Sequence, residues 1–111
     1  MDINEETRNG ILVLKPAGRV DSGTAGAFET RLVQAVNAGQ ASVVVDMAQL
    51  AYISSAGLRA LLVAAKRARP AGSRIVLAAM SASIREVFDM SGFTSLFEIH
   101  TNADAAIQAL S

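Results

Sequence analysis

The sequence predicts one α/β domain. After an N-terminal hairpin, short apolar strands alternate with amphipathic helices, so the expected architecture is a mixed, mostly parallel sheet beneath about four helices. The hairpin supplies the antiparallel element at the N-terminal end. Composition agrees with a packed core. Of 111 residues, 51% are hydrophobic and 18% charged, a balance that can bury enough apolar surface to offset the entropy of ordering the chain. This length suits a single domain over residues 1–111.

Each element has a local reason. Asn9-Gly10 lies between Ile3–Arg8 and Ile11–Leu14. That dipeptide suits the positive backbone angles of a two-residue turn, so the two flanks read as β1 and β2. Pro16 and Gly18 loosen the far end of β2, and Asp21-Ser22-Gly23 reads as a polar turn. From Thr24, Ala25, Phe28, Leu32, Ala35 and Val36 recur on one helical face until Gly39. Val43-Val44-Val45 is apolar on both sides, as a buried central strand requires. The next helix places Leu58, Leu61, Leu62 and Ala65 inward and ends before Pro70. Ile75-Val76-Leu77 is a second buried strand. Ser83 and Glu86 have capping-box spacing for a helix with Ile84, Val87 and Phe88 inside, closed by Gly92. Leu96–Ile99 reads as the last strand. Thr101–Leu110 reads as a closing helix with Ala103, Ala106, Ile107 and Leu110 on one face.

Several function classes fall away on residue type alone. Lysine plus arginine and aspartate plus glutamate each number 10, so the chain lacks the basic excess that non-specific nucleic-acid binding needs. With no cysteine and one histidine, His100, a thiolate or multi-histidine metal site is excluded, and no metal or cofactor is expected. Asp21 and Asp46 could share one end of the sheet, but a turn start and a strand end explain them more simply. Neither a Walker A sequence nor a dinucleotide-binding glycine fingerprint occurs. No apolar run is long enough to span a membrane, and the acidic start Met1-Asp2-Ile3-Asn4-Glu5-Glu6 does not resemble a signal peptide. The expectation is a cytoplasmic monomer that engages neither nucleic acid nor membrane. Lys66, Arg67 and Arg69 crowd the end of the second helix, where cations complement the helix dipole.

One segment resists a purely structural account: "QLAYISSAGLRALLVAAKRA", Gln49 to Ala68. Two serines stand where an apolar run meets a helical pattern. Either could be the helix N-cap, which is the simplest reading. A nucleophile would need a neighbouring base and the first glycine of a nucleophile elbow, and Ile53-Ser54-Ser55-Ala56-Gly57 has no such glycine. A phosphorylation site is the third reading. A second serine exceeds what a cap needs, Ala56-Gly57 leaves the first turn small, and a helix N-terminus tolerates a dianion.

The stretch "VVVDMAQLAYISSAGLRALL", Val43 to Leu62, resembles the signature segment of the STAS domain, and more narrowly that of the stand-alone bacterial anti-sigma-factor antagonists. Their pattern is a buried strand ending in Asp, a loop, then D-S-x-G-L opening a helix. "LKPAGRVDSGTAGAFE" and "DMSGFTSLFEIHTNADAAIQAL" are similar to the family's second strand with first helix and to its C-terminal end. The resemblance implies a STAS-like fold and a partner-switching protein that is not itself an enzyme. Unmodified, it would bind an anti-sigma factor that is a GHKL-type serine kinase. Phosphorylation would release it, and a PP2C-type phosphatase would reverse the step. The family's phosphorylated serine falls on Ser55, with Ser54, which replaces the family's Asp, as the second candidate. Asp21, Ser22, Ser54, Ser55, Gly57 and Arg59 are the expected partner contacts. The alternative within the family is a scaffold subunit, for example of a lipid-transport complex, whose serines are only a cap.

Overall fold

The computed structural model describes residues 1–111. Its main sheet has five strands: β1 (Ile3–Arg8), β2 (Ile11–Pro16), β4 (Ser42–Asp46), β6 (Arg74–Ala78) and β7 (Glu98–His100), in the order β1-β2-β4-β6-β7. Only the β1–β2 pair is antiparallel. The hairpin register Arg8↔Ile11 leaves Asn9 and Gly10 as the two turn residues, with φ of 54° and 76°. Both values fit the type I′ turn, and glycine adopts such angles without the steric penalty of a Cβ. The remaining pairs are parallel because each connection crosses over through a helix.

Side chains alternate across the sheet and both faces are covered. Leu12, Leu14, Val43, Val45, Ile75 and Leu77 face a large core shared with α1 (Ala25–Asn37), α2 (Ser55–Ala68) and α3 (Ala82–Met90). Ile11, Val13, Val44, Val76 and Ala78 face the opposite way, where Ala106 and Ile107 of α4 (Ala103–Leu110) close a smaller core. This two-sided burial is why the central strands read as unbroken apolar runs. All five stripe residues expected on α1 are buried.

Four local expectations need correction. The segment around Gly18, read as the loosened end of β2, and the apolar run through Tyr52, not assigned to a strand, form a separate parallel pair, β3 (Gly18–Val20) with β5 (Leu50–Ile53). With three and four residues, they are too short for a strand period to show. On α2, Leu62 and Ala65 are only half-buried, while Ala60, Ala64 and Ala68 join Leu58 and Leu61 in the core. Alanines that let α2 lie close to its neighbours carry little hydropathy signal. α3 starts earlier than the Ser83–Glu86 spacing suggests: Ser81 Oγ accepts from the Ile84 N–H at 3.2 Å, and Ser83 Oγ bonds to Ser81. Finally, Thr94–Leu96 is a 3-10 turn, so the last strand begins at Glu98. No helix is long and apolar enough to cross a membrane.

Candidate functional site

The β3–β5 pair, invisible to the pattern reading, builds the site. It runs Val20 alongside Ile53, and the Ser54 N–H donates to the Val20 carbonyl at 2.8 Å. The chain after β3 therefore lies beside the chain after β5. One leads through Asp21 and Ser22 into α1; the other leads through Ser54 into α2.

The two serines have different jobs. Ser54 has extended backbone, φ −92° and ψ 174°, and its Oγ accepts from the Gly57 N–H at 3.3 Å. Its carbonyl accepts from the Leu58 N–H at 3.0 Å. Ser54 is thus the N-cap of α2 and is half-buried. Ser55 is the first helical residue and is exposed, and its hydroxyl makes no hydrogen bond within the protein. The cap account covers one serine and leaves the other unused.

Gly57 departs from its expected place at a contact surface. It is buried on the inner side of the first turn, where a Cβ would stand 2.6 Å from Ile53 Cγ1 and 2.7 Å from Val20 Cγ1. Glycine is required there so that α2 can rest on β3 and β5. Asp21 behaves as a turn residue: its Oδ1 accepts from the Gly23 N–H at 2.9 Å, and its backbone carbonyl accepts from Ala25 N–H at 2.8 Å. Thr24 locks the same turn by donating its hydroxyl to the Arg19 carbonyl and accepting from the Asp21 N–H, both at 2.9 Å. Ser22 is exposed at the turn's outer side. Arg19 leans over the Tyr52 ring, 4.2 Å from its centroid, and reaches Asp21 Oδ2 at 3.9 Å.

Ser55 opens onto a cavity of about 390 Å³ between the first turns of α1 and α2. Ala25, Gly26 and Glu29 form one wall; Ser55, Ala56 and Arg59 form the other. Arg59 follows Ser55 by one helical turn on the same face. Glu29 is a site residue that the sequence reading missed. Its only signal is a position four residues after Ala25 on a helix that starts with small side chains, and its closeness to Ser55 arises from helix packing. No histidine lines this cavity. His100 lies at the end of β7, its Nε2 2.6 Å from Glu98 Oε2. The Ser–His arrangement of a hydrolase is not assembled here. Asp46 Oδ1 accepts from the Ala48 N–H at 3.0 Å, a local turn contact. No three His, Asp or Glu side chains come together as metal ligands.

Residues 2–106 match the family model of the STAS domain. BtrV of Bordetella bronchiseptica, assigned as an anti-sigma factor antagonist, is 38% identical over 109 residues, covering 98% of this chain and 94% of BtrV. Among solved structures, an anti-sigma factor antagonist from Mycobacterium paratuberculosis superposes with a TM-score of 0.89 at 21% identity, covering 97% of this chain and 92% of that one. SpoIIAA, also an anti-sigma factor antagonist, superposes in its unphosphorylated form with a TM-score of 0.82 at 18% identity, covering 98% and 96% of the two chains. In its phosphorylated form, described as a Bacillus cell fate determinant, the TM-score is 0.75, covering 99% and 100%. A family model matching nearly the whole chain, a relative above a third identical end to end, and a shared fold lead to one assignment: the chain belongs to the STAS domain family.

Proposed function

We propose that this STAS domain is an anti-sigma factor antagonist that works by partner switching, with Ser55 as the phosphorylated residue. The observation that carries the reading is the division of labour at the β5–α2 junction. Ser54 caps the helix, and Ser55 presents a free hydroxyl at the positive end of α2. BtrV and SpoIIAA, named as anti-sigma factor antagonists, support the function, and the existence of a phosphorylated form of SpoIIAA supports the switch. In this reading the protein is a ligand and a substrate rather than a catalyst. The unmodified cytoplasmic monomer binds a GHKL-type anti-sigma kinase through the Asp21–Ser22 turn and the start of α2. That kinase phosphorylates Ser55, and a PP2C-type phosphatase restores the hydroxyl.

The physics is electrostatic. A phosphate adds about −1.5 to −2 charge to a surface that was complementary when neutral. A cost of ~3 kcal/mol at the interface weakens binding by ~100-fold. The fold is spared, because the modified side chain is exposed and meets the free N–H groups and dipole of a helix start. Arg59 and Glu29 flank the phosphate, the first attracting and the second repelling it.

Incubation with the cognate kinase and ATP, followed by intact-mass and fragment spectra, tests the site. One phosphate on the wild type and none on Ser55→Ala is the expected result. Full phosphorylation of Ser55→Ala moves the site to Ser54. Titration calorimetry tests the switch: Ser55→Ala keeps the affinity, and Ser55→Asp loses part of it. Equal affinity of the wild type and its fully phosphorylated form for the kinase removes the mechanism.

A further inference from the structure

Charge is unevenly distributed on this neutral chain. Of its ten lysines and arginines, Arg8, Lys15, Arg19, Arg31, Arg74 and Arg85 are ion-paired. The four that are not are Arg59, Lys66, Arg67 and Arg69, all on α2 or at its C-terminal cap. α2 itself contains no acidic residue. A helix dipole accounts for cations near a C-terminus, but it does not account for what lies beside them.

Beneath the last turns of α2 are two adjoining cavities of about 280 and 230 Å³, which share Ala65, Arg69, Leu96 and Phe97. Together they form one groove. Leu62 and Phe97 are its half-buried apolar walls, and Leu96 stands 57% exposed at its edge. Phe97 is held from behind by an edge-on contact with the Phe88 ring, centroids 6.3 Å apart, so that wall is anchored in the core. Lys66 and Arg69 stand at the rim, one helical turn apart. Ser73 Oγ, a buried hydroxyl with no hydrogen-bond partner in the protein, belongs to the residue lining the inner part of the groove.

We infer that this groove is a second docking site, which takes an acidic amphipathic helix of another protein. Leucine-sized side chains of that helix enter between Leu62, Leu96 and Phe97. Carboxylates one turn apart on its flank meet Lys66 and Arg69. The charge pattern selects the occupant: the inner end of the groove holds the mutually paired Arg74 and Glu98, and the outer part, where unpaired cations border Leu62, Leu96 and Phe97, complements a helix that is apolar on one face and acidic beside it. The inference goes beyond the partner-switching reading and does not depend on Ser55. Lys66 lies about 16 Å along α2 from Ser55, so both ends of the helix can be engaged together. The groove should stay open when Ser55 is phosphorylated.

The test uses the full chain labelled with nitrogen-15 and three 18-residue synthetic helical peptides. One has leucine at i, i+3, i+4 and i+7 with glutamate beside it. The second replaces glutamate by lysine, and the third replaces leucine by alanine. The expected result is saturable shift of the amides of Leu62–Arg69 and Leu96–Glu98 by the first peptide only. Its affinity should fall about tenfold in Lys66→Glu/Arg69→Glu and severalfold in Leu96→Ser. All three positions are exposed or at the groove edge, and unchanged thermal melts confirm that the variants fold. Equal binding of the lysine peptide overturns the charge argument, and equal binding of the alanine peptide overturns the groove. Shifts confined to the Ser55 end overturn the location. Concentration-dependent dimerisation abolished by Lys66→Glu/Arg69→Glu, or binding to anionic lipid vesicles without peptide binding, assigns the surface to another occupant and overturns the proposal.

Discussion

Substituting Gly57 by alanine sets two effects of opposite sign against each other. Glycine within a helix costs ~1 kcal/mol relative to alanine, so helix propensity alone makes Gly57→Ala stabilising. The structure reverses the sign. The new Cβ would lie 2.6 Å from Ile53 Cγ1 and 2.7 Å from Val20 Cγ1. Real Cβ atoms do not tolerate such contacts, and neither neighbour can swing away. Both are β-branched with restricted χ1, and both are buried, at 2% and 0% exposure. The first turn of α2 must lift off β3 and β5 instead. Overpacking of this kind costs ~1–3 kcal/mol, and the upper part of that range applies where the clash is with two stiff side chains on one strand pair. Net destabilisation of ~1–2 kcal/mol remains after the propensity gain, which is a drop in melting temperature of roughly 4–12 °C for a domain of this size. Thermal and urea unfolding followed by circular dichroism measure it. A variant that melts at or above the wild type would refute the packing argument and return Gly57 to the contact surface where the sequence placed it.

Ser54→Ala should lose ~1 kcal/mol by removing the α2 cap, whereas Ser55→Ala should stay within about 0.5 kcal/mol of the wild type; urea unfolding of the two distinguishes them. Leu61 is fully buried and Leu62 is not, so Leu61→Ala should cost ~2–5 kcal/mol and Leu62→Ala clearly less by the same measurement. Phosphorylated protein should melt close to the unmodified form, and a loss as large as that of Leu61→Ala would make Ser55 a buried structural residue. The hydrogen bond from His100, with the ion pair to Arg74, holds the Glu98 carboxyl below its ordinary value near 4.5. A carboxyl depressed by folding contributes stability above its unfolded pKa and loses it as pH falls through the folded value. Melts from pH 3 to 6 should therefore show wild type above Glu98→Gln near pH 6, with the gap closing below about 4.5.

The succession of strands and helices and the burial of the central strands on both faces follow from local pattern, and local pattern is what a sequence displays. Val43-Val44-Val45 had to be covered on two sides, Asn9-Gly10 had to turn, and Phe28 and Leu32 had to point one way, whatever surrounded them. The same logic placed a helix start at the two serines, and the signature around Ser55 pointed to the family. Other features are pairwise and belong to no single segment. The β3–β5 pair has too few residues to show a period and exists because Val20 and Ile53 meet across the fold. That pairing sends Gly57 inward, turns Ser54 into the cap and leaves Ser55 outside. Glu29 joins the site, and Lys66 comes to border Leu96, only because helices 1 and 2 and the 3-10 turn before the last strand pack where they do. Hydrophobic periodicity records which side of an element avoids water. It holds no record of which element will lie against that side, and the tertiary structure decides that through contacts between residues far apart in the chain.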